Sequence, residues 1–92
     1  MVKITPKGKK AWVTFTIAPQ DAQSVSICGE WNEWADEPMK KKKSGEFYIR
    51  KSLELGSEYQ FGYRVNETQW HCDDELGCVP SPFGSQNSLL KL

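Results

Sequence analysis

Trp34 and Trp70 are the residues whose type and placement could do chemistry. Trp34 closes the segment Gly29-Glu30-Trp31-Asn32-Glu33-Trp34, and Trp70 follows the polar turn Asn66-Glu67-Thr68-Gln69. Turn positions are more often exposed than buried, and an indole is costly on a surface unless its flat face has something to meet. Sugar rings offer such a match, because their axial C–H bonds pack on an aromatic face while their hydroxyls seek amides and cations at its edge. The chain holds four tryptophans in 92 residues. That exceeds what a core of this size uses, so at least one exposed aromatic patch is expected, and such patches mark binding sites. A single Trp is more often a core residue than a platform, and Trp12 and Trp31 are expected in the core.

Other candidate chemistry is weaker. His71-Cys72-Asp73-Asp74-Glu75-Leu76-Gly77-Cys78 contains metal-capable side chains but lacks the paired spacing of a structural zinc site. Its length permits a local Cys72–Cys78 disulfide, but nothing else marks a secreted protein, and free thiols are the favoured reading. Lys40 to Lys43 reads as a solvated connection rather than a phosphate site. Carboxylates are plentiful at Glu30, Glu33, Asp36, Glu37, Asp73 and Asp74. Glycoside hydrolysis, however, needs two of them fixed across a cleft that a domain this small can barely form. With no Gly-rich phosphate loop, no nucleophile elbow and no nucleophile–base pair, the chain reads as non-enzymatic, with neither metal nor cofactor.

The elements that must position these tryptophans are strands. Val13, Phe15 and Ile17 alternate with Trp12, Thr14 and Thr16, and Val25 and Ile27 alternate up to Gly29. A third run starts at Phe47 and continues through Ile49, Leu53 and Leu55 to Gly56, where Lys51 interrupts the apolar set and predicts a bulge or an edge position. The clearest strand is Glu58 to Val65, with Tyr59, Phe61, Tyr63 and Val65 on its core face. Leu89 to Leu92 reads as a short final strand, and no helical period is sustained for three turns. Short strands with turn signals about every ten residues predict an all-β, immunoglobulin-like β-sandwich.

Length confines the chain to a single domain over residues 1–92. Met1 and the tidy final strand slightly favour a complete chain. Twelve basic residues balance twelve acidic ones, which argues against nucleic acid or an anionic membrane as partner. No apolar run reaches the roughly 20 residues of a membrane span, and Met1 to Lys10 lacks the apolar core of a signal peptide. The expected location is the cytoplasm, in keeping with an odd count of irregularly spaced cysteines, Cys28, Cys72 and Cys78.

Taken in order, these motifs resemble family 48 carbohydrate-binding modules. Gly29-Glu30-Trp31-Asn32-Glu33-Trp34 is similar to that family's Gly-x-Phe-Asn-x-Trp, with Trp31 in place of Phe. The likeness continues through Met39, Gly45-Glu46-Phe47, Leu53-Glu54-Leu55-Gly56, Glu58 to Tyr63, Trp70, Asp73 and Pro80 to Ser88, nearly the whole chain. The family includes the glycogen-binding domain of the AMP-activated kinase beta subunit and the early-set domain that precedes the catalytic barrel of glycogen branching and debranching enzymes. The resemblance implies an early-set immunoglobulin-like fold and non-catalytic binding of α-glucan, as glycogen, starch or malto-oligosaccharide. It implies stacking on Trp34 and Trp70, with Phe83 against the sugar and Ser85 and Asn87 on its hydroxyls. The basic residue expected on the long strand is replaced by Gly62, and Arg64, two positions on and so on the same face, is expected to take its role beside Gln60. Asn66-Glu67 with Thr68 replaces the family's Asp-Gly turn, which lengthens the loop and is expected to displace the second platform. A rival expectation is a protein-interaction module that packs on a glycogen-metabolising enzyme without touching sugar.

Overall fold

In the computed structural model, which describes residues 1–81 and 86–92, strands account for nearly all regular structure. In chain order they are β1 Val2–Lys7, β2 Lys10–Ile17, β3 Val25–Gly29, β4 Glu37–Pro38, β5 Lys40–Lys41, β6 Phe47–Glu54, β7 Glu58–Val65, β8 Gln69–His71, β9 Val79–Pro80 and β10 Gln86–Lys91. A single 3₁₀ turn, Glu30–Asn32, follows β3. Two antiparallel sheets form, one ordered β1-β2-β6-β5 and the other β4-β3-β7-β10-β9, with β8 also on β7. They pack as the expected immunoglobulin-like sandwich. No helix among the described residues is long and apolar enough to cross a membrane.

Period-two alternation explains the core. Ala11, Val13, Phe15, Phe47 and Leu53 point inward from the first sheet and meet Val25, Ile27, Phe61, Tyr63, Val65 and Leu90 from the second. Met39, buried between β4 and β5, lies where the chain passes from one sheet to the other, and its amide bonds Val25 O at 2.9 Å. The long strand is inner-facing on the residues expected, and its bounds, Glu58–Val65, are those of the alternation.

Two expectations about strands are corrected. Lys51 makes no bulge, since the β2–β6 register runs unbroken from Lys10↔Glu54 to Ile17↔Phe47; the alternative, an edge position, holds, because β5 pairs β6 only at Tyr48 and Phe47. Lys51 keeps its inward parity and donates to Glu37 Oε2 at 2.5 Å, an ion pair linking the sheets at the edge of the core. Burial alone would push the Glu37 carboxyl up, but bonds from Lys51 and Asn32 hold it below the ordinary value. An inward lysine is stable there because its charge is paired rather than left uncompensated. Trp12, expected in the core, sits on the outer face of β2, 39% exposed, because its neighbours Ala11 and Val13 take the inward positions. The additional strand β1 carries Pro6 and pairs only with β2, an edge position where a missing N–H is tolerated.

Candidate functional site

The two aromatic residues of Trp31-Asn32-Glu33-Trp34 face opposite ways because the backbone reverses between them. Glu33 and Trp34 both have positive φ, 56° and 65°, a left-handed conformation that costs an L-residue about 1–2 kcal/mol. Hydrogen bonds hold it: Trp34 N donates to Gly29 O at 2.9 Å, Ala35 N to Asn32 O at 3.2 Å, and Gly29 N to Asn32 Oδ1 at 3.1 Å. Asn32 Nδ2 reaches on to Glu37 Oε1 at 3.1 Å. Trp31 thereby turns into the core, stacked on Phe15 at 5.3 Å between ring centroids and close to Phe61 and Tyr59. It lies so near Gly29 that a Cβ there would stand 2.8 Å from its ring. Trp34 turns outward and is 38% exposed.

Trp70 reaches the same face from β8. The β7–β8 hairpin turns through Asn66 and Glu67, both at positive φ, and Thr68 N closes it on Val65 O at 3.2 Å. Asn tolerates that conformation, and Asn66 Oδ1 also accepts from Gln23 N at 2.7 Å and Ser24 N at 3.2 Å, tying the turn to the segment before β3. The pairing Arg64↔Trp70 sets the indole on the outer side of β7, against Gly62. A Cβ at Gly62 would stand 2.1 Å from the ring, so the glycine found where the resemblance expects a basic residue is the seat of the platform. Trp70 Nε1 donates to Gln86 O at 2.8 Å and fixes the ring's rotation.

The result is a pair of indoles, Trp34 and Trp70, with centroids 6.4 Å apart and planes inclined by 47°. Arg64, on the face expected, places its guanidinium carbon 5.4 Å from the Trp70 centroid, in cation–π range, and donates from Nε to Asp36 Oδ1 at 2.9 Å. The buried Cys28 thiol bonds the same carboxylate oxygen at 2.9 Å. Burial, with the neighbouring Asp36 carboxylate, pushes the thiol up to about 11, while the bonds from Cys28 and Arg64 hold the Asp36 carboxyl below its usual range. Gln60 Oε1 accepts from Asn87 Nδ2 at 3.1 Å, and Asn87 itself is only 4% exposed. Five expected residues, Trp34, Gln60, Arg64, Trp70 and Asn87, thus gather on the outer face of the second sheet, with Asn87 as a brace behind Gln60. Phe83 and Ser85 lie outside the described residues. The roles of Gly62 and Asp36 were missed, and the signal for the first was a glycine inside an otherwise aromatic strand.

Beside this face Cys72 and Cys78 form a disulfide, with Cα atoms 5.7 Å apart, and the expectation of free thiols is corrected. The loop between them is bent by Asp73. Its buried carboxylate accepts from Tyr63 Oη at 2.8 Å, Glu75 N at 2.9 Å and Leu76 N at 3.2 Å, and Gly77 N returns to Asp73 O at 2.9 Å. Ser88 Oγ accepts from Asp73 N at 2.6 Å and donates to Gly77 O at 2.8 Å. These bonds bring the two cysteines into disulfide range. The bridge also removes the cysteine argument for a reducing compartment.

The family described as the glycogen recognition site of AMP-activated protein kinase has a model that matches residues 13–92. No curated protein matches the chain.

Proposed function

The chain belongs to the glycogen-recognition family of AMP-activated protein kinase, a family of non-catalytic α-glucan-binding modules, and on that premise we propose that Trp34 and Trp70 are the stacking platforms for consecutive glucose units. The carrying observation is the indole pair on one face, 6.4 Å between centroids. Arg64 and Gln60 stand at the rim of the platform as hydroxyl partners, and Asn87 orients Gln60 from behind. Phe83 and Ser85 complete the site in this reading. Trp70 is rigid, seated on Gly62 and tied to Gln86 O, so little side-chain entropy is lost on binding.

No bond is made or broken: the chain acts as a tether, without catalysis of its own, in the cytoplasm. Such a shallow site gives single-chain affinity on the order of micromolar to millimolar, raised by avidity on a branched polymer. Migration through a native gel containing glycogen tests the reading. The chain is expected to be retarded, and Trp34→Ala and Trp70→Ala to run like an unrelated protein; Trp34 is exposed, so its variant keeps the fold. Equal mobility of all of them defeats the proposal and makes docking on a glycogen-metabolising enzyme the better account.

A further inference from the structure

The outer face of the other sheet carries a second aromatic site of different charge. The β1–β2–β6–β5 register puts Lys3, Lys7, Lys10, Lys40 and Arg50 on that face with Trp12 and Tyr48, and its one carboxylate is Glu54. The acidic residues Glu30, Asp36, Glu37, Glu58 and Asp73 belong instead to the second sheet or to segments leaving it. A chain of zero net charge therefore has one cationic face.

Within it lies an open, shallow cleft lined by Trp12, Thr14, Lys40, Tyr48 and Arg50, with Pro38 and Ile49 beside them. The Arg50 guanidinium carbon lies 4.7 Å from the Trp12 ring centroid, in cation–π range. Lys42 caps the Tyr48 ring at 5.1 Å. Among the described residues, neither Arg50 nor Lys40 is ion-paired. Rings at Trp12 and Tyr48 that hold cations over their faces, a hydroxyl at Thr14 and two cations without carboxylate partners form a receptor for a sugar that bears an anion. A planar guanidinium matches the oxygens of a phosphate group in bidentate geometry.

We propose that this cleft binds a phosphate monoester carried on an α-glucan chain, with Arg50 and Lys40 on the phosphate and Trp12 and Tyr48 against the sugar. The sugar half of the proposal rests on the glucan reading above; the anion half rests on the cleft alone. Two opposed faces would then take one neutral and one phosphorylated stretch of polymer.

Calorimetric titration with a phosphorylated maltodextrin, and with the same material after phosphatase treatment, tests it. The chain is expected to bind the phosphorylated form about tenfold more tightly. Arg50→Gln is expected to lose that gain, to keep its affinity for the dephosphorylated form, and to unfold at the same temperature. Equal binding of both forms, or a preference that survives in Arg50→Gln, overturns the proposal. So does a polyglutamate peptide that displaces the phosphorylated form from the chain but is itself bound equally well by Arg50→Gln, since charge alone then accounts for the preference. Failure to bind the dephosphorylated form strikes the Trp34–Trp70 reading instead, so the two failures are separable.

Discussion

A methyl group at Gly62 would stand 2.1 Å from the Trp70 indole, and neither the strand nor the ring, tied to Gln86 O, can yield that distance without cost. Gly62→Ala is therefore expected to lift the platform away from Trp34 and abolish retardation by glycogen, while destabilising the fold by about 1–3 kcal/mol; glycogen gels and urea unfolding check both. Cys28 gives a prediction in pH. Burial raises its thiol from 9.0 to about 11, so the folded state holds a proton that the unfolded state releases first. The stability this contributes is whole below pH 9 and is lost as pH rises through about 11. Urea midpoints across that window should fall less in Cys28→Ala than in the parent chain. That Trp34 and Trp70 reach the surface was legible from the turn chemistry beside each, although Trp70 itself lies half-buried in β8. The exposure of Trp12 was not, because an alternating strand shows which residues share a face but not, for a mixed set such as Trp12, Thr14 and Thr16, which face is wet.

The element that most needs external help is the loop from Cys72 to Cys78. It has little apolar surface to bury, and the Asp73 network with the disulfide takes the place of a core. Closing a loop this short restricts the unfolded chain by about 2 kcal/mol, and reductant should lower the urea-unfolding free energy by about that amount. A Cys72→Ser/Cys78→Ser variant is expected to be insensitive to reductant and to match the reduced parent. The bridge was not legible in the sequence: spacing allowed it, but the deciding fact is the turn built by Asp73, whose partners Tyr63 and Ser88 come from distant strands. Strand β7, by contrast, was read to its bounds, because four apolar residues at period two with polar neighbours admit no other register. A bulge at Lys51 was expected because a polar residue interrupts an apolar set, whereas its partner Glu37, which lets it keep the inward parity, lies across the sandwich.

At the scale of the molecule, the zero net charge concealed a cationic surface that only the register reveals: Lys3, Lys7, Lys10, Lys40 and Arg50 share the outer face of the β1–β2–β6–β5 sheet with the carboxylate of Glu54. The balance of twelve against twelve therefore describes the far field of the protein and not the potential a ligand meets at either surface. On the face proposed for glucan, Arg64 is paired internally with Asp36, so retention on neutral polymer is expected to be governed by stacking and insensitive to salt in glycogen gels run at two ionic strengths, whereas Arg50 and Lys40 have no carboxylate partner among the described residues. The overall fold was legible because it follows from alternation and turn spacing; the difference in charge between its two faces depends on which strands become neighbours.

The 47° inclination between the Trp34 and Trp70 planes gives the proposed platform two facets rather than one flat surface. A chain of α-1,4-linked glucose coils, so successive rings tilt as they advance and can settle on one facet and then the other. A β-1,4-linked ribbon stays straight, and once flat on the first indole it departs at an angle from the second. Under the proposed stacking, curvature is the property of the polymer that this pair of rings selects, without contact to any group unique to it.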